Sequence, residues 1–161
     1  MPVLLNLGCG HDVKPRGEGW VNVDCVPYSG IDVLADARDL RMFASDSVDC
    51  VYARSLIEHF YPKEIPIVLI EWARVLRSGG TLEMTIPCLE GLAEAIQSGR
   101  FPCDEINEWI YAYQYIEPER HKYFFSSPRA IQLLESVGFV EIDVQRDSNC
   151  IWAMIVHAKK R

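Results

Sequence analysis

The sequence predicts an α/β protein with a mostly parallel sheet that ends in an antiparallel pair. Three observations predict it. Short apolar runs alternate with helical segments, the pattern of a wound α/β sheet. Residues 65–76 carry one unbroken helical face. The last two apolar runs are joined only by residues 145–149, too short a link for a right-handed crossover, so those two strands must form a hairpin.

The elements follow in order. Residues 3–7 are a short apolar run stopped by Gly8-Cys9-Gly10, a buried strand meeting a tight turn. Residues 11–19 hold Pro15, Gly17 and Gly19 and can contain at most about a turn of helix, since Gly and Pro cost ~1 and ~3 kcal/mol in a helix interior. Residues 20–23 read as the second strand, ended by Asp24. Residues 31–35 read as the third, ended by Asp36, and residues 48–53 as the fourth. Ile65, Val68, Leu69, Trp72, Val75 and Leu76 share one helical face. Pro66 suits the first turn of that helix, and Gly79-Gly80 suit its stop. Residues 81–87 are the fifth strand. A last helix carries Ile131, Leu134 and Val137 and ends at Gly138. Strands at 140–144 and 150–158 complete the sheet.

The chain has 161 residues, enough for one domain with a hydrophobic core and too few for two ordinary ones. Hydrophobic residues make up 49% and charged residues 24%, a globular balance. The net charge of -7 disfavours a nucleic-acid partner, which calls for the opposite sign. The Lys159-Lys160-Arg161 tip reads as a solvated tail. Neither a secretory leader nor a transmembrane helix is read, so the expected location is cytoplasmic. The six cysteines form no CxxC, and several sit in apolar runs as small buried hydrophobes. No zinc knuckle is therefore expected, and no metal ligands are assigned.

Three features fall at the carboxyl ends of predicted strands, where open α/β sheets bind ligands. Gly8 and Gly10 let the backbone turn and let a ligand approach it closely. Asp24 can accept two hydrogen bonds from a ribose diol. Asp36 with the backbone of Ala37 can read an adenine edge. Each feature alone also reads as ordinary turn or capping chemistry; their order and spacing describe a nucleoside lying across three strand ends. A dinucleotide fingerprint would need a third glycine where Val13 stands, and its pyrophosphate would need a helix that residues 11–19 are ill suited to form. A nucleotide-dependent oxidoreductase is the weakest reading for that reason. No GKS or GKT is present, so there is no P-loop.

The run Leu5-Asn6-Leu7-Gly8-Cys9-Gly10, the acids Asp24 and Asp36, the segment from Asp49 to His59, and Arg74-Val75-Leu76-Arg77-Ser78-Gly79-Gly80 resemble successive motifs of the class I (Rossmann-like) S-adenosylmethionine-dependent methyltransferases, type 11 group. His121-Lys122-Tyr123-Phe124-Phe125 and the run from Leu133 to Phe139 resemble the same group. The resemblance implies a doubly wound, mostly parallel seven-stranded sheet with the last strand antiparallel, and S-adenosyl-L-methionine as cofactor. It implies that Asn6, Leu7, Gly8, Cys9, Gly10 and His11 form the cofactor loop and that Asp24 holds the ribose. Asp36 and Ala37 would meet the adenine, and Ser55 would lie near the sulfonium. Asn6 stands where the group often has an acid, and the helix after the glycine loop is much reduced.

The expected organisation is a single methyltransferase domain over residues 1–161, with an inserted helical lid at 88–127. That insert holds an Ala-rich helical run at 89–97 and an aromatic run at 109–115 containing Tyr111, Tyr113 and Tyr115. A surface helical hairpin is the alternative. Methyl transfer needs positioning and, for OH or NH acceptors, removal of a proton. Glu58, His59 and His121 are the candidate catalytic residues; a packing histidine and a solvated acid are the plainer readings. The absence of an NPPY or DPPY run argues against methylation of DNA bases. The expected activity is transfer to a small-molecule or glycan-type acceptor. The alternative is an S-adenosylmethionine-binding non-catalytic module or partner subunit of a methyltransferase complex, with a homodimer or another chain completing the pocket.

Overall fold

The computed structural model describes residues 1–112, 115 and 117–161. Seven strands form one sheet: β1 (Leu4–Leu7), β2 (Trp20–Asp24), β3 (Val33–Leu34), β4 (Val48–Arg54), β5 (Leu76–Pro87), β6 (Phe139–Arg146) and β7 (Ala153–Lys160). Their order is β3-β2-β1-β4-β5-β7-β6. All pairs from β3 to β5 are parallel, and β7 is antiparallel to both β5 and β6. This is the expected fold class. The order reverses between β1 and β4, the switch point where such sheets bind ligands.

Helix α1 (Ile65–Val75) begins with Pro66 in its first turn and buries Ile65, Val68, Leu69, Trp72 and Val75. Between β5 and β6 lie α2 (Leu89–Ser98), α3 (Cys103–Tyr111), a single turn at Glu117–Glu119 and α4 (Ser127–Ser136). The Ser126 side chain caps α4 by accepting from the Arg129 amide, and α4 buries Ala130, Leu133 and Leu134. That inward stripe lies one step from the one expected, where Ile131 and Val137 were to join Leu134. No described helix is long and apolar enough to cross a membrane.

Strand registers put Val23, Leu7, Ala53, Met84 and Val156 in one row across the sheet. The buried residues of α1 and α4 join that face in one continuous core. The opposite face is polar: Thr81, His157 and Lys159 are exposed, while Cys50, Tyr52, Glu83 and Thr85 are half-buried. The loop between β1 and β2 lies over one end of this face, with a single helical turn at Arg16–Glu18 in place of a helix. Side-chain amides hold the loop down. Asn6 Nδ2 donates to Asp12 O (2.7 Å) and Asn22 Oδ1 (3.0 Å); Asn22 Oδ1 also accepts from the Lys14 amide (2.8 Å). Both asparagines are buried, so these bonds meet polar demands that the apolar strands cannot.

Two boundaries differ from expectation for identifiable reasons. Strand β3 has two residues because the Asp32 side chain turns to accept from the Asn22 backbone amide and Nδ2, at 2.8 and 3.0 Å. Strand β5 begins at Leu76, which pairs with Val48 before the register shifts to Cys50–Thr81. The shift passes through Gly79 and Gly80; a Cβ at Gly80 would stand 2.8 Å from Arg77 O.

Candidate active site

One cavity of about 540 Å³ opens at the carboxyl ends of β1, β2 and β4. Its first wall is the turn after β1. Gly8 and Gly10 have φ of +60° and +49°, which a side chain would strain. A Cβ on Gly8 would lie 2.6 Å from Leu56 Cδ1, whereas nothing lies within 4 Å of a Cβ on Gly10. The loop therefore presents bare backbone to the cavity. Asp24, at the end of β2 and 8% exposed, fixes it in place. Its Oδ2 accepts from the Gly10 amide and its Oδ1 from the Val26 amide, both at 2.8 Å. Each oxygen keeps a lone pair for a diol.

The wall at Asp36 and Ala37 is set by α1. Trp72 Nε1 donates to Ala37 O at 3.0 Å, and Glu71 Oε1 accepts from the Leu40 amide at 2.7 Å. Arg38 grips the Asp36 carboxylate with Nε and Nη2, the latter at 2.6 Å, and reaches Glu64 at 2.7 Å. The Arg38 guanidinium holds the Asp36 carboxyl below the usual carboxylate range.

The far end is built after β4. Ser55 has φ +49°, an uncommon value for a residue with a Cβ. It turns the chain sharply, with its amide on Thr85 O at 2.8 Å. Glu58 follows in a helical turn and is fully buried, and neither carboxyl oxygen has a hydrogen-bond partner among the described residues. Burial lifts its pKa to about 8. His121 Nε2 stands 3.8 Å from Glu58 Oε1, and its Nδ1 meets Trp109 O at 2.8 Å. Burial and the neighbouring His59 lower His121 to about 4. His59 faces two carbonyls, Arg120 O at 3.0 Å and Ser55 O at 3.1 Å; burial lowers its pKa as well. Ligand atoms of Glu58, His59 and His121 all lie within 4.8 Å of one another.

Of the residues named from the sequence, Gly8, Gly10, His11, Asp24, Asp36, Ala37, Ser55, His59 and His121 line this one cavity. Glu58 lies beneath the two histidines. Asn6, Leu7 and Cys9 are buried behind the loop, and the Asn6 amide is committed to Asp12 and Asn22. From the insert, Ala112, Glu117, Pro118, Glu119 and Lys122 line the cavity too. Tyr111 and Tyr115 are exposed, and Tyr113 lies outside the described residues. Tyr28 and Arg38 line the cavity without having been singled out. Arg38 was legible as a cation two residues after a strand-end acid; Tyr28 was not, because its partner is remote in sequence.

Residues 14–84 match the family model described as a methyltransferase domain. The comparison with curated proteins returns no match. Among solved structures, an S-adenosylmethionine-dependent methyltransferase from Archaeoglobus fulgidus is 15% identical with a TM-score of 0.69, covering 99% of this chain and 86% of that one. The Burkholderia thailandensis 1,6-didemethyltoxoflavin-N1-methyltransferase, with its substrate and S-adenosylhomocysteine bound, is 16% identical with a TM-score of 0.71, covering 99% and 71%. A chain from the complex between the Haloferax volcanii Trm112 methyltransferase activator and a methyltransferase candidate is 17% identical with a TM-score of 0.65, covering 98% and 82%. The chain spans 62% of the length of a further match from Bordetella parapertussis. Residues 14–84 thus resemble a methyltransferase domain, and the chain as a whole has the class I methyltransferase fold.

Proposed function

We propose that the protein transfers a methyl group from S-adenosyl-L-methionine to a small-molecule or glycan-type acceptor. The observation that carries this reading is the continuity of the cavity. It runs from the bare Gly8–Gly10 backbone, Asp24 and Asp36 to Ser55, His59 and His121. The residues fit the cofactor: Gly10 leaves open space, and Asp24 keeps two free lone pairs at the end of β2. When bound, the cofactor supplies a methyl carbon that bonds to the acceptor's lone pair as the S–C bond breaks and its electron pair passes to sulfur. Gly8, Gly10, Asp24, Asp36 and Ala37 hold the nucleoside. Ser55 shapes the wall beside the sulfur. Glu58, His59 and His121 form the acceptor end, where they orient the nucleophilic atom and ease loss of its proton. Residues 88–127 act as the lid, with Ala112 and residues 117–122 covering the cavity. Its volume is of small-molecule scale. Six free thiols support work in a reducing cytoplasm.

The test is a thermal shift with S-adenosylmethionine, S-adenosylhomocysteine and NAD, followed by release of S-adenosylhomocysteine with an acceptor panel. Both sulfur ligands raise the melting temperature and NAD does not; no response to either sulfur ligand would sink the reading. The second reading, a cofactor-binding subunit completed by a partner, is favoured by the Haloferax volcanii neighbour, which sits in a complex with an activator. It predicts cofactor binding with turnover only after a partner is added.

A further inference from the structure

We propose that Glu58, His59 and His121 bind a divalent transition-metal ion, with zinc the best match to their chemistry, at the base of the acceptor end. The first support is the stranded carboxyl of Glu58. It is fully buried and neither oxygen has a partner among the described residues. A buried polar group without a partner is costly, and a buried charge more so. Among the described residues no Lys or Arg is paired with it. Lys122 directly follows His121, but its ammonium lies over the Tyr61 ring and toward Glu117. Lys122 and Tyr123 give Glu58 only backbone amides, and these go to its carbonyl oxygen.

The second support is how the histidines are held. His121 Nδ1 faces Trp109 O at 2.8 Å, which fixes the ring proton there and leaves the Nε2 lone pair facing Glu58 Oε1 at 3.8 Å. Anchoring the far nitrogen on a backbone carbonyl is the usual outer support of a metal-binding histidine. Two ligands that share an ion at about 2.0–2.2 Å stand roughly 3–4 Å apart, so the Glu58–His121 spacing already suits one. His59 has a carbonyl oxygen against both ring nitrogens. A neutral imidazole carries one N–H, so one of these contacts sets lone pair against lone pair. That nitrogen gains by turning to an ion, and the 4.8 Å limit of the cluster leaves a ring rotation to close.

The third support is the direction of opening. His59 and His121 line the cavity and Glu58 lies below them. Three protein ligands with one side open is the arrangement of a catalytic rather than a structural zinc site. Two nitrogens and one carboxylate suit zinc and neighbouring first-row ions better than calcium or magnesium. If the cavity is a methyl-transfer site, the open position takes the acceptor's oxygen. This last step alone rests on the proposed function; the ion site does not.

The experiment uses the full chain stripped with a chelator and titrated with Co²⁺, then Zn²⁺. One equivalent of Co²⁺ should give ligand-field bands without the intense thiolate charge-transfer band, and Zn²⁺ should displace it. Glu58→Gln and His121→Ala should each weaken binding at least tenfold. X-ray absorption at the zinc edge of the unmodified protein needs no variant: nitrogen and oxygen neighbours at about 2.0–2.1 Å are expected, and sulfur at about 2.3 Å would place the ion on cysteines and overturn the proposal. Absence of stoichiometric binding, or equal binding by folded variants, overturns it as well. A thermal shift with S-adenosylhomocysteine on the stripped protein separates the two readings. A shift without zinc binding removes only the ion site, and zinc binding without a shift removes only the methyl-transfer reading.

Discussion

The Tyr28 hydroxyl donates to Glu119 Oε1 at 2.6 Å, tying the loop after β2 to the insert across the mouth of the cavity. This bond, first among the causes, pushes the Tyr28 pKa up to about 12. The Tyr28 ring also packs on His11 of the glycine loop, with centroids 4.5 Å apart. Tyr28→Phe keeps the ring and removes the bond. Because the pair is part-exposed, the cost should stay below about 1.5 kcal/mol. Amide exchange at 117–122 should speed up, and the S-adenosylhomocysteine Kd should rise by up to about tenfold. Unchanged exchange would show that the bond does not hold the insert.

Asp24 holds the Gly10 and Val26 amides, and under the proposed function its remaining lone pairs receive the ribose diol. Asp24→Ala should weaken cofactor binding by roughly 1.5–3 kcal/mol, the range for hydrogen bonds to a charged group. Calorimetry reads this directly. An unchanged Kd removes Asp24 from the site.

Trp72 links core packing to the cavity wall. It is fully buried, and its indole donates to Ala37 O. Trp72→Phe preserves most of the packing but leaves that carbonyl without its partner, at about 1–3 kcal/mol. The urea midpoint should fall with little change in slope. A fall in slope instead would mean that the change reached beyond this contact.

Asp36 sets an acid limb on stability. Its folded-state pKa is depressed, by Arg38 above all. The stabilisation is therefore fully present above the unfolded value of about 3.9 and is lost as pH falls through the lower folded value. Melting temperature against pH should drop below about pH 4, and Asp36→Asn should flatten that drop. An identical profile in the variant would place the acid sensitivity elsewhere.

The cysteines should react in a fixed order. Cys25 and Cys103 are exposed, whereas Cys9 and Cys88 are buried; partial burial of its sulfur and then the Asp24 charge push the Cys25 thiol up. Burial, followed by the Asp24 charge, raises Cys9 to about 11. Iodoacetamide at neutral pH should label Cys103 first and leave Cys9 and Cys88 for the denatured chain. Mass spectrometry of tryptic peptides reads the order.

Local patterns made most of the fold legible. The face from Ile65 to Val75 and the short link between β6 and β7 each follow from spacing alone, and the strand-end position of Asp24 follows from the end of an apolar run, whereas Asp36 stands two residues past the end of β3. What escaped depends on contacts distant in sequence. The role of Asn22 was hidden because a buried amide inside an apolar strand has meaning only once Lys14 and Asp32 are seen beside it. Glu58 reads as a solvated acid until the fold lays residues 120–123 over it. Asn6 belongs to the loop's anchorage, a use that the glycine pattern alone cannot reveal.

The polar face of the sheet governs how sequence change would be felt along the strands. In a parallel sheet covered on both sides, every residue of a central strand resists substitution. Here tolerance should alternate residue by residue. Along β5, truncating Leu82 or Met84 opens a void, at about 2–5 kcal/mol. Changes at Thr81 or Glu83, on the alternate positions, should stay within about 0.5 kcal/mol. Along β7, Val156 and Ala158 set limits that His157 and Lys159 do not. A saturation scan of these strands would trace a two-residue rhythm, leaving the polar face of β5 and β7 free to acquire new surface chemistry while the apolar face holds the core.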